Sequence, residues 1–212
     1  MEYKEFNKNI QIVKNYKYEL TYGINEFSEK SYLIDMFYDG NKKYSFEEMI
    51  FTEEQEKEFT YFLEKGTPML IFAYELAKKY HCNQLDKAGV LYTEHLKFVS
   101  FRCENIDEKV IGMLHDIIED TDLTLKELKE LFPDYICNAV DLLTKKDNQE
   151  IEEYIKGLKT NSLALKVKIQ DLINNMNFSR MKYNNPSLKD AKRLQKYGNM
   201  IFELVNYLES IK

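Results

Sequence analysis

Tryptophan is absent from this chain of 212 residues, and cysteine, histidine and proline each occur only three times. The cysteines Cys82, Cys103 and Cys137 are odd in number and include no CxxC pair. This pattern argues against a disulfide framework and against a thiolate zinc site. We therefore expect free thiols that serve as packing residues.

Long uncharged apolar runs are also lacking, so we expect no membrane-spanning helix. The N-terminal segment MEYKEFNKNIQ is polar and has no signal-peptide core, which favours a cytoplasmic protein. Positive charge is in deficit, with a net charge of -6 at pH 7. Such a chain has no overall basic field for DNA, although a local basic pocket is still compatible with it.

The N-terminal quarter has the composition of a small sheet. The segment SYLIDMFY-DGN-KKYSFEEMIF predicts a hairpin, and QIVKNYKYELTYGI predicts a third strand. Thr52 and Gln55 form a capping-box pattern that opens a helix, and Gly66 ends it. We assign residues 1–66 to a small α+β appendage.

From Thr67 and Pro68 onward the pattern is helical, and the sequence predicts a mainly α protein with a second domain over residues 67–212. Short links that contain Gly89, Asp107, Pro133 and Pro186 separate the helices. The predicted helices cover residues 68–81, 93–103, 108–120, 125–131, 134–144, 149–159, 162–178 and 188–210.

Side chains that could bind a metal or transfer a proton are concentrated in the segment GMLHDIIEDTD. His115 and Asp116 lie within a wide apolar helical pattern, where an ionised carboxylate is costly unless a positive charge compensates it. Glu119 and Asp120 follow one helical turn later, so one turn presents an imidazole and three carboxylates. A His-Asp dipeptide is a weak signal by itself, and a solvated helix end is the alternative for Glu119 and Asp120.

Asp171 repeats the anomaly in the apolar segment LALKVKIQDLINNMNFSRM, with Asn174 and Asn175 one turn away. A pairing of Asp171 with a lysine or arginine of the core is an equally good explanation at this point.

The order of these motifs resembles a known family. The stretches AYELAKKYHCNQLDKAGVLYTEH, GMLHDIIEDTDLTLKELKELFPDYICNAVDLLTKKD and VKIQDLINNMNFSRM look like the hydrolase domain of RelA/SpoT proteins and its small stand-alone bacterial relatives. The resemblance covers about residues 70–206. It implies an HD-domain helical bundle and a metal-dependent phosphohydrolase.

The resemblance also implies a ligand set for the metal, which consists of His95, His115, Asp116 and Asp171. Two imidazoles and two carboxylates leave coordination positions open for water and a phosphate oxygen. Mn²⁺ is the implied ion, with Fe²⁺, Co²⁺ and Zn²⁺ as alternatives.

Further roles follow from the same resemblance. Glu119 and Asp120 are expected to act on the attacking water, and Asn174 is expected near the substrate sugar. Lys87 and Arg180 are candidates for holding phosphate oxygens, although both residues are also compatible with solvated surface charges.

His81 stands at a helix end, where a structural role or support of the metal site is the favoured interpretation. The sequence departs from the long RelA/SpoT enzymes at Asp86, where those enzymes have arginine, and at Leu96 and Leu172. The departure at Asp86 concerns recognition of the base.

The favoured substrate is a nucleotide, and the favoured reaction is removal of the 3′-pyrophosphate of the guanosine polyphosphate (p)ppGpp. One alternative is an HD phosphohydrolase that acts on another nucleotide or on a phosphorylated cofactor such as NADPH. The other is a non-catalytic module that senses a nucleotide.

Overall fold

A computed structural model describes residues 3–25, 29–177 and 187–211. Within these ranges the N-terminal part forms an antiparallel sheet in the order β1-β2-β3-β4. Its strands are rich in tyrosine, isoleucine and phenylalanine, which favour extended backbone. The strands are β1 Tyr3–Val13, β2 Tyr16–Asn25, β3 Lys30–Tyr38 and β4 Asn41–Met49.

The predicted hairpin is confirmed as β3 and β4. Asp39 and Gly40 turn the chain with positive φ angles of 47° and 78°, as two-residue hairpin loops require. The segment predicted as one further strand instead contributes to two strands, because the chain reverses at Lys14, whose φ is 54°. A lysine followed by asparagine gives a weaker turn signal than the Asp-Gly pair, and the sequence did not reveal this reversal.

The mainly α character with a small sheet is confirmed, and Thr52 and Gln55 form the predicted capping box. Among the described helices, none combines the length and the apolar character that crossing a bilayer requires. The helices are α1 Glu53–Lys65, α2 Pro68–Tyr80, α3 Tyr92–Arg102, α4 Ile106–Leu114, α5 Ile117–Asp120, α6 Leu125–Leu131, α7 Asp134–Leu143, α8 Ile151–Leu158, α9 Ser162–Asn175 and α10 Leu188–Ser210.

The chain divides into two compact units. The first contains the residues up to Leu76 together with Thr124–Asp134, so α6 belongs with the sheet. Its core contains packed aromatic rings, with the centroids of Phe72 and Phe132 5.5 Å apart and the ring planes tilted by 47°. The Tyr18 hydroxyl, which is fully buried, donates to the Leu131 carbonyl oxygen at 2.7 Å. The predicted boundary between residues 66 and 67 stays a prediction.

The second unit contains Ala77–Leu123 and the residues from Tyr135 onward. Its helices α3, α4 and α9 pack against one another. Gly112 permits a close approach of α4 to α3, since a Cβ atom there would lie 2.9 Å from the Cα atom of Ser100. This close approach fixes α4 against the helix that carries His95.

Gly112→Ala is therefore expected to destabilise the protein. Replacing glycine by alanine at an interior helix position normally stabilises the folded state by up to about 1 kcal/mol. Forcing a methyl group against the backbone of a neighbouring helix destabilises it by about 1–3 kcal/mol. Gly198→Ala in α10 is the control, because among the described residues its Cβ would meet only the Met176 side chain, at 3.8 Å. Thermal unfolding should show a lower Tm for Gly112→Ala than for Gly198→Ala, and equal or reversed shifts would contradict the packing argument.

Candidate metal centre

The predicted helix over residues 108–120 is interrupted at the His115-Asp116 pair. The structure has α4 up to Leu114 and α5 from Ile117. Asp116 has φ -103° and ψ 0°, which is the sparsely populated bridge region. Consecutive residues of an unbroken helix point about 100° apart. The interruption allows the side chains of both residues to reach one cluster.

The four predicted ligands converge. The Nε2 atoms of His95 and His115 lie 3.2 Å apart. Asp116 Oδ2 is 2.9 Å from His115 Nε2 and 3.5 Å from His95 Nε2. Asp171 Oδ1 is 3.3 Å from His95 Nε2 and 3.6 Å from His115 Nε2. His95, His115 and Asp171 are buried, and Asp116 is partly buried.

Hydrogen bonds on the far side of each ring determine what these nitrogens can do. His115 Nδ1 lies 2.8 Å from the Gly112 carbonyl oxygen, which can only accept, so Nδ1 carries the proton. His95 Nδ1 lies 2.7 Å from Asn174 Oδ1, which also accepts. In the neutral rings both Nε2 atoms then present lone pairs to each other. Two lone pairs at 3.2 Å repel unless a cation lies between or beside them.

The electrostatics of the cluster also favour a positive charge beside the imidazoles and carboxylates. Burial alone would lower the pKa of His115, but the charges of Asp116 and Asp171 outweigh it and raise that pKa to about 10. Burial would raise the pKa of Asp116, but the neighbouring His115 lowers it well below its usual range. The carboxylates thus stay ionised and attract positive charge into a buried site.

The donor set fits a divalent transition ion. His95, His115 and Asp171 each offer a ligand atom, and these atoms lie within 4.8 Å of one another. Imidazole nitrogens whose other N–H is bound to an oxygen acceptor, combined with carboxylates, are the usual environment of such an ion. Asp116 adds a fourth donor beside the two imidazoles.

Several side chains that the sequence left without a role hold the ligands in place. The Tyr92 hydroxyl donates to Asp116 Oδ2 at 2.6 Å. Lys168 Nζ donates to Asp171 Oδ2 at 2.8 Å, and Asn175 Nδ2 donates to Asp171 Oδ1. Asp171 is therefore paired with a lysine, as the alternative explanation of its position in an apolar helix expected, and it also faces the two imidazoles. Lys168 lies three residues before Asp171 and Asn175 lies four residues after it. This helical spacing is the sequence signal that could have revealed both contacts.

Glu119 and Asp120 are exposed at the end of α5. Glu119 Oε2 accepts from the Lys145 backbone N–H at 2.9 Å. Partial desolvation raises the pKa of both carboxyls, and the charge of Asp116 adds to the effect. Each carboxylate is therefore a better proton acceptor than a freely hydrated one.

A pocket of about 280 Å³ adjoins the cluster through two shared residues. Tyr92 and Asn175, which hold Asp116 and Asp171, also line this pocket. Lys87 lines this pocket, and its contact with a phosphate stays a prediction. Arg193 was missed because it is distant in sequence from the motifs. The lining residues are Leu85, Asp86, Lys87, Tyr92, Asn175, Asn177, Arg193 and Tyr197.

Two further predicted residues have different outcomes. Asn174 is buried against His95, and it is the neighbouring Asn175 that lines the pocket. A contact of Asn174 with a sugar stays a prediction. Arg180 lies outside the described residues.

No family model matches the chain. A probable GTP pyrophosphokinase of Mycobacterium leprae is 30% identical over 149 residues, which are 64% of this chain and 19% of that protein. A probable guanosine-3′,5′-bis(diphosphate) 3′-pyrophosphohydrolase of Mycoplasma pneumoniae is 29% identical over 79% of this chain and 24% of its own length. The chain is a homologue of the RelA/SpoT proteins. It spans about a fifth of the length of these RelA/SpoT relatives.

The solved structure of a metazoan orthologue of SpoT that hydrolyses ppGpp is also similar. The TM-score is 0.55 at 19% identity, and the match covers 64% of this chain and 84% of that one. At this identity the likeness concerns the fold alone. The RelA/SpoT resemblance expected from the motifs is confirmed.

Proposed function

We propose that the protein is a metal-dependent phosphohydrolase with an HD-domain helical bundle, and that it removes the 3′-pyrophosphate of (p)ppGpp. The observation that carries the proposal is the pair of Nε2 atoms 3.2 Å apart between two carboxylates. Relatives named as guanosine-3′,5′-bis(diphosphate) 3′-pyrophosphohydrolases support the choice of substrate.

His95, His115, Asp116 and Asp171 would hold the ion, and Mn²⁺ is the proposed ion. A divalent ion in such a site supplies Lewis acidity and lowers the pKa of a coordinated water. Tyr92, Lys168 and Asn175 keep the carboxylates of Asp116 and Asp171 in position. The ligands are thus preorganised before substrate arrives.

Glu119 and Asp120 are the proposed proton acceptors for the attacking water, and their raised pKa suits a general base. Water attacks the phosphorus next to the ribose, the bond to the 3′ oxygen breaks, the 3′ oxygen takes up a proton to become a hydroxyl, and pyrophosphate is released. Lys87 and Arg193 line the pocket where phosphate oxygens would lie. The Arg193 guanidinium pairs with Asp190 at 3.0 Å, and its Nε is buried without a hydrogen-bond partner among the described residues.

A substrate panel tests the proposal. Purified protein with Mn²⁺ is incubated with ppGpp, pppGpp, their adenine analogues and NADPH, and kcat/KM is measured for each. The proposal expects the guanosine polyphosphates to be hydrolysed, with GDP or GTP as product. Preference for NADPH would support the alternative phosphohydrolase, and tight ppGpp binding without turnover would support the sensor.

Asp86 is a position where the sequence departs from the long RelA/SpoT enzymes. Its Oδ1 accepts from the backbone N–H groups of Ala88 and Val90 at 2.8 Å and 3.0 Å, so the carboxylate stabilises its own loop. We therefore expect Asp86→Ala to lower kcat/KM for guanine and adenine substrates by similar factors, because the loop that carries Lys87 loosens. Asp86→Asn is the control, since its amide oxygen still accepts. A loss of about ten-fold or more confined to guanine substrates would show direct base recognition.

A further inference from the structure

His81, the residue after α2, is buried. The sequence favoured a structural role or support of the metal site for it, without indicating which residue it would hold. Its ring stacks on Tyr92 with a centroid distance of 5.3 Å and an interplanar angle of 25°. Its Nδ1 lies 2.7 Å from Gln84 Oε1. Its Nε2 is buried without a hydrogen-bond partner among the described residues. A buried polar atom left in this state calls for an explanation.

The orientation of Gln84 determines the protonation of this ring. Gln84 Nε2 donates to the carbonyl oxygen of Asp120 at 2.7 Å. A carbonyl oxygen only accepts, so the NH₂ group of Gln84 must face Asp120 and Oε1 must face His81. His81 Nδ1 therefore carries the proton, and Nε2 is the bare nitrogen. Burial lowers the pKa of His81, which keeps the ring neutral.

The chain of contacts ends on a residue of the proposed mechanism. Asp120 is the last residue of α5, and the final carbonyls of a helix lack partners within the helix. Gln84 supplies the partner for Asp120 from 36 positions away in the sequence. The Asp120 backbone N–H donates to the Asp116 carbonyl oxygen at 2.8 Å. Hydrogen bonds therefore fix the peptide groups on both sides of Asp120.

We infer that His81 and Gln84 are positioning residues that hold Asp120 in place for proton transfer. His81 fixes the orientation of the Gln84 amide, and Gln84 anchors the end of α5. The inference rests on the proposed function for its effect on turnover, but the tautomer of His81 can be measured without any substrate.

The first test is nitrogen-detected NMR of the histidine side chains. His81 is assigned by comparison with His81→Asn, and the expected form near pH 7 is neutral with the proton on Nδ1. Gln84→Glu should change the His81 signals. Protonation on Nε2 in the wild-type protein would overturn the inference whether or not the protein hydrolyses ppGpp.

The second test compares variants that preserve or remove individual donors. His81→Asn retains an amide nitrogen near the Nδ1 position, whereas His81→Gln places its amide near Nε2. Gln84→Glu keeps an acceptor for His81 but puts a carboxylate oxygen against the Asp120 carbonyl. We expect kcat to fall roughly ten-fold in His81→Gln and Gln84→Glu, with KM and metal content little changed and with His81→Asn close to wild type.

Double variants identify the route of the effect. In the Asp120→Asn background, addition of Gln84→Glu should cause almost no further loss, because both changes act through the same group. Full additivity of the losses, or wild-type kcat in Gln84→Glu, would overturn the inference while leaving the proposed function intact. Absence of ppGpp hydrolysis by the wild type would instead reject the proposed function, and the NMR result would then decide the inference alone.

Discussion

Asp171→Ala is expected to remove the divalent ion from the protein and to abolish turnover. Asp171 is 2% exposed and faces both histidines, so its loss removes a ligand and leaves the partly buried Lys168 ammonium without its carboxylate partner. Breaking a buried ion pair in this way costs about 3–5 kcal/mol. Elemental analysis should find about one ion per chain in the wild type and a ratio near zero in the variant.

A matched control shows whether the effect comes from loss of a metal ligand or from loss of a carboxylate in general. Asp141 is paired with Lys146 on the surface, and Asp141→Ala should retain both the ion and activity. Asp171→Ala/Lys168→Met removes the unpaired ammonium group as well, so the fold should recover while the site stays unable to bind the ion. Full metal occupancy in Asp171→Ala would exclude Asp171 from the ligand set.

Glu119→Gln and Asp120→Asn are expected to lower kcat strongly without loss of the ion. Both amides preserve side-chain shape but cannot accept a proton, and neither residue is among the proposed ligands. Removal of a general acid-base group typically costs about a hundred-fold or more. Rates are compared at equal metal occupancy, measured on the same samples.

Asp122→Asn is the control for this pair, because Asp122 is exposed and belongs to the same acidic segment. Its kcat should equal that of the wild type. If Glu119→Gln and Asp120→Asn also turn over at wild-type rates, neither carboxylate takes part in proton transfer and another base must be sought.

Local patterns predicted much of this fold. The periodicity and the capping signals predicted α2, α3 and α10 to within a few residues, because their apolar faces and end signals are encoded in neighbouring positions. The interruption between α4 and α5 was missed, since His115 and Asp116 lie in a continuous apolar pattern and only tertiary contacts impose the break. The reversal at Lys14 was missed for lack of a strong turn signal.

The candidate site was predictable where its residues belong to ordered motifs. The four proposed ligands do converge, namely His95, His115, Asp116 and Asp171. The side chains that hydrogen-bond to these ligands belong to no recognisable motif. Lys168 was detectable from its spacing to Asp171, whereas Arg193 reaches the pocket from α10 through the fold alone. Neighbouring amides on α9 face different partners, and this division between Asn174 and Asn175 depends on the rotation of the helix.

The most direct test of the central claim is chromatography of the products after incubation of the purified protein with ppGpp. The account predicts GDP and pyrophosphate in equal amounts when Mn²⁺ is present, and no product after chelation or with Asp171→Ala. Release of single phosphates, turnover that survives complete removal of metal, or no turnover by a fully metal-loaded wild type would contradict it.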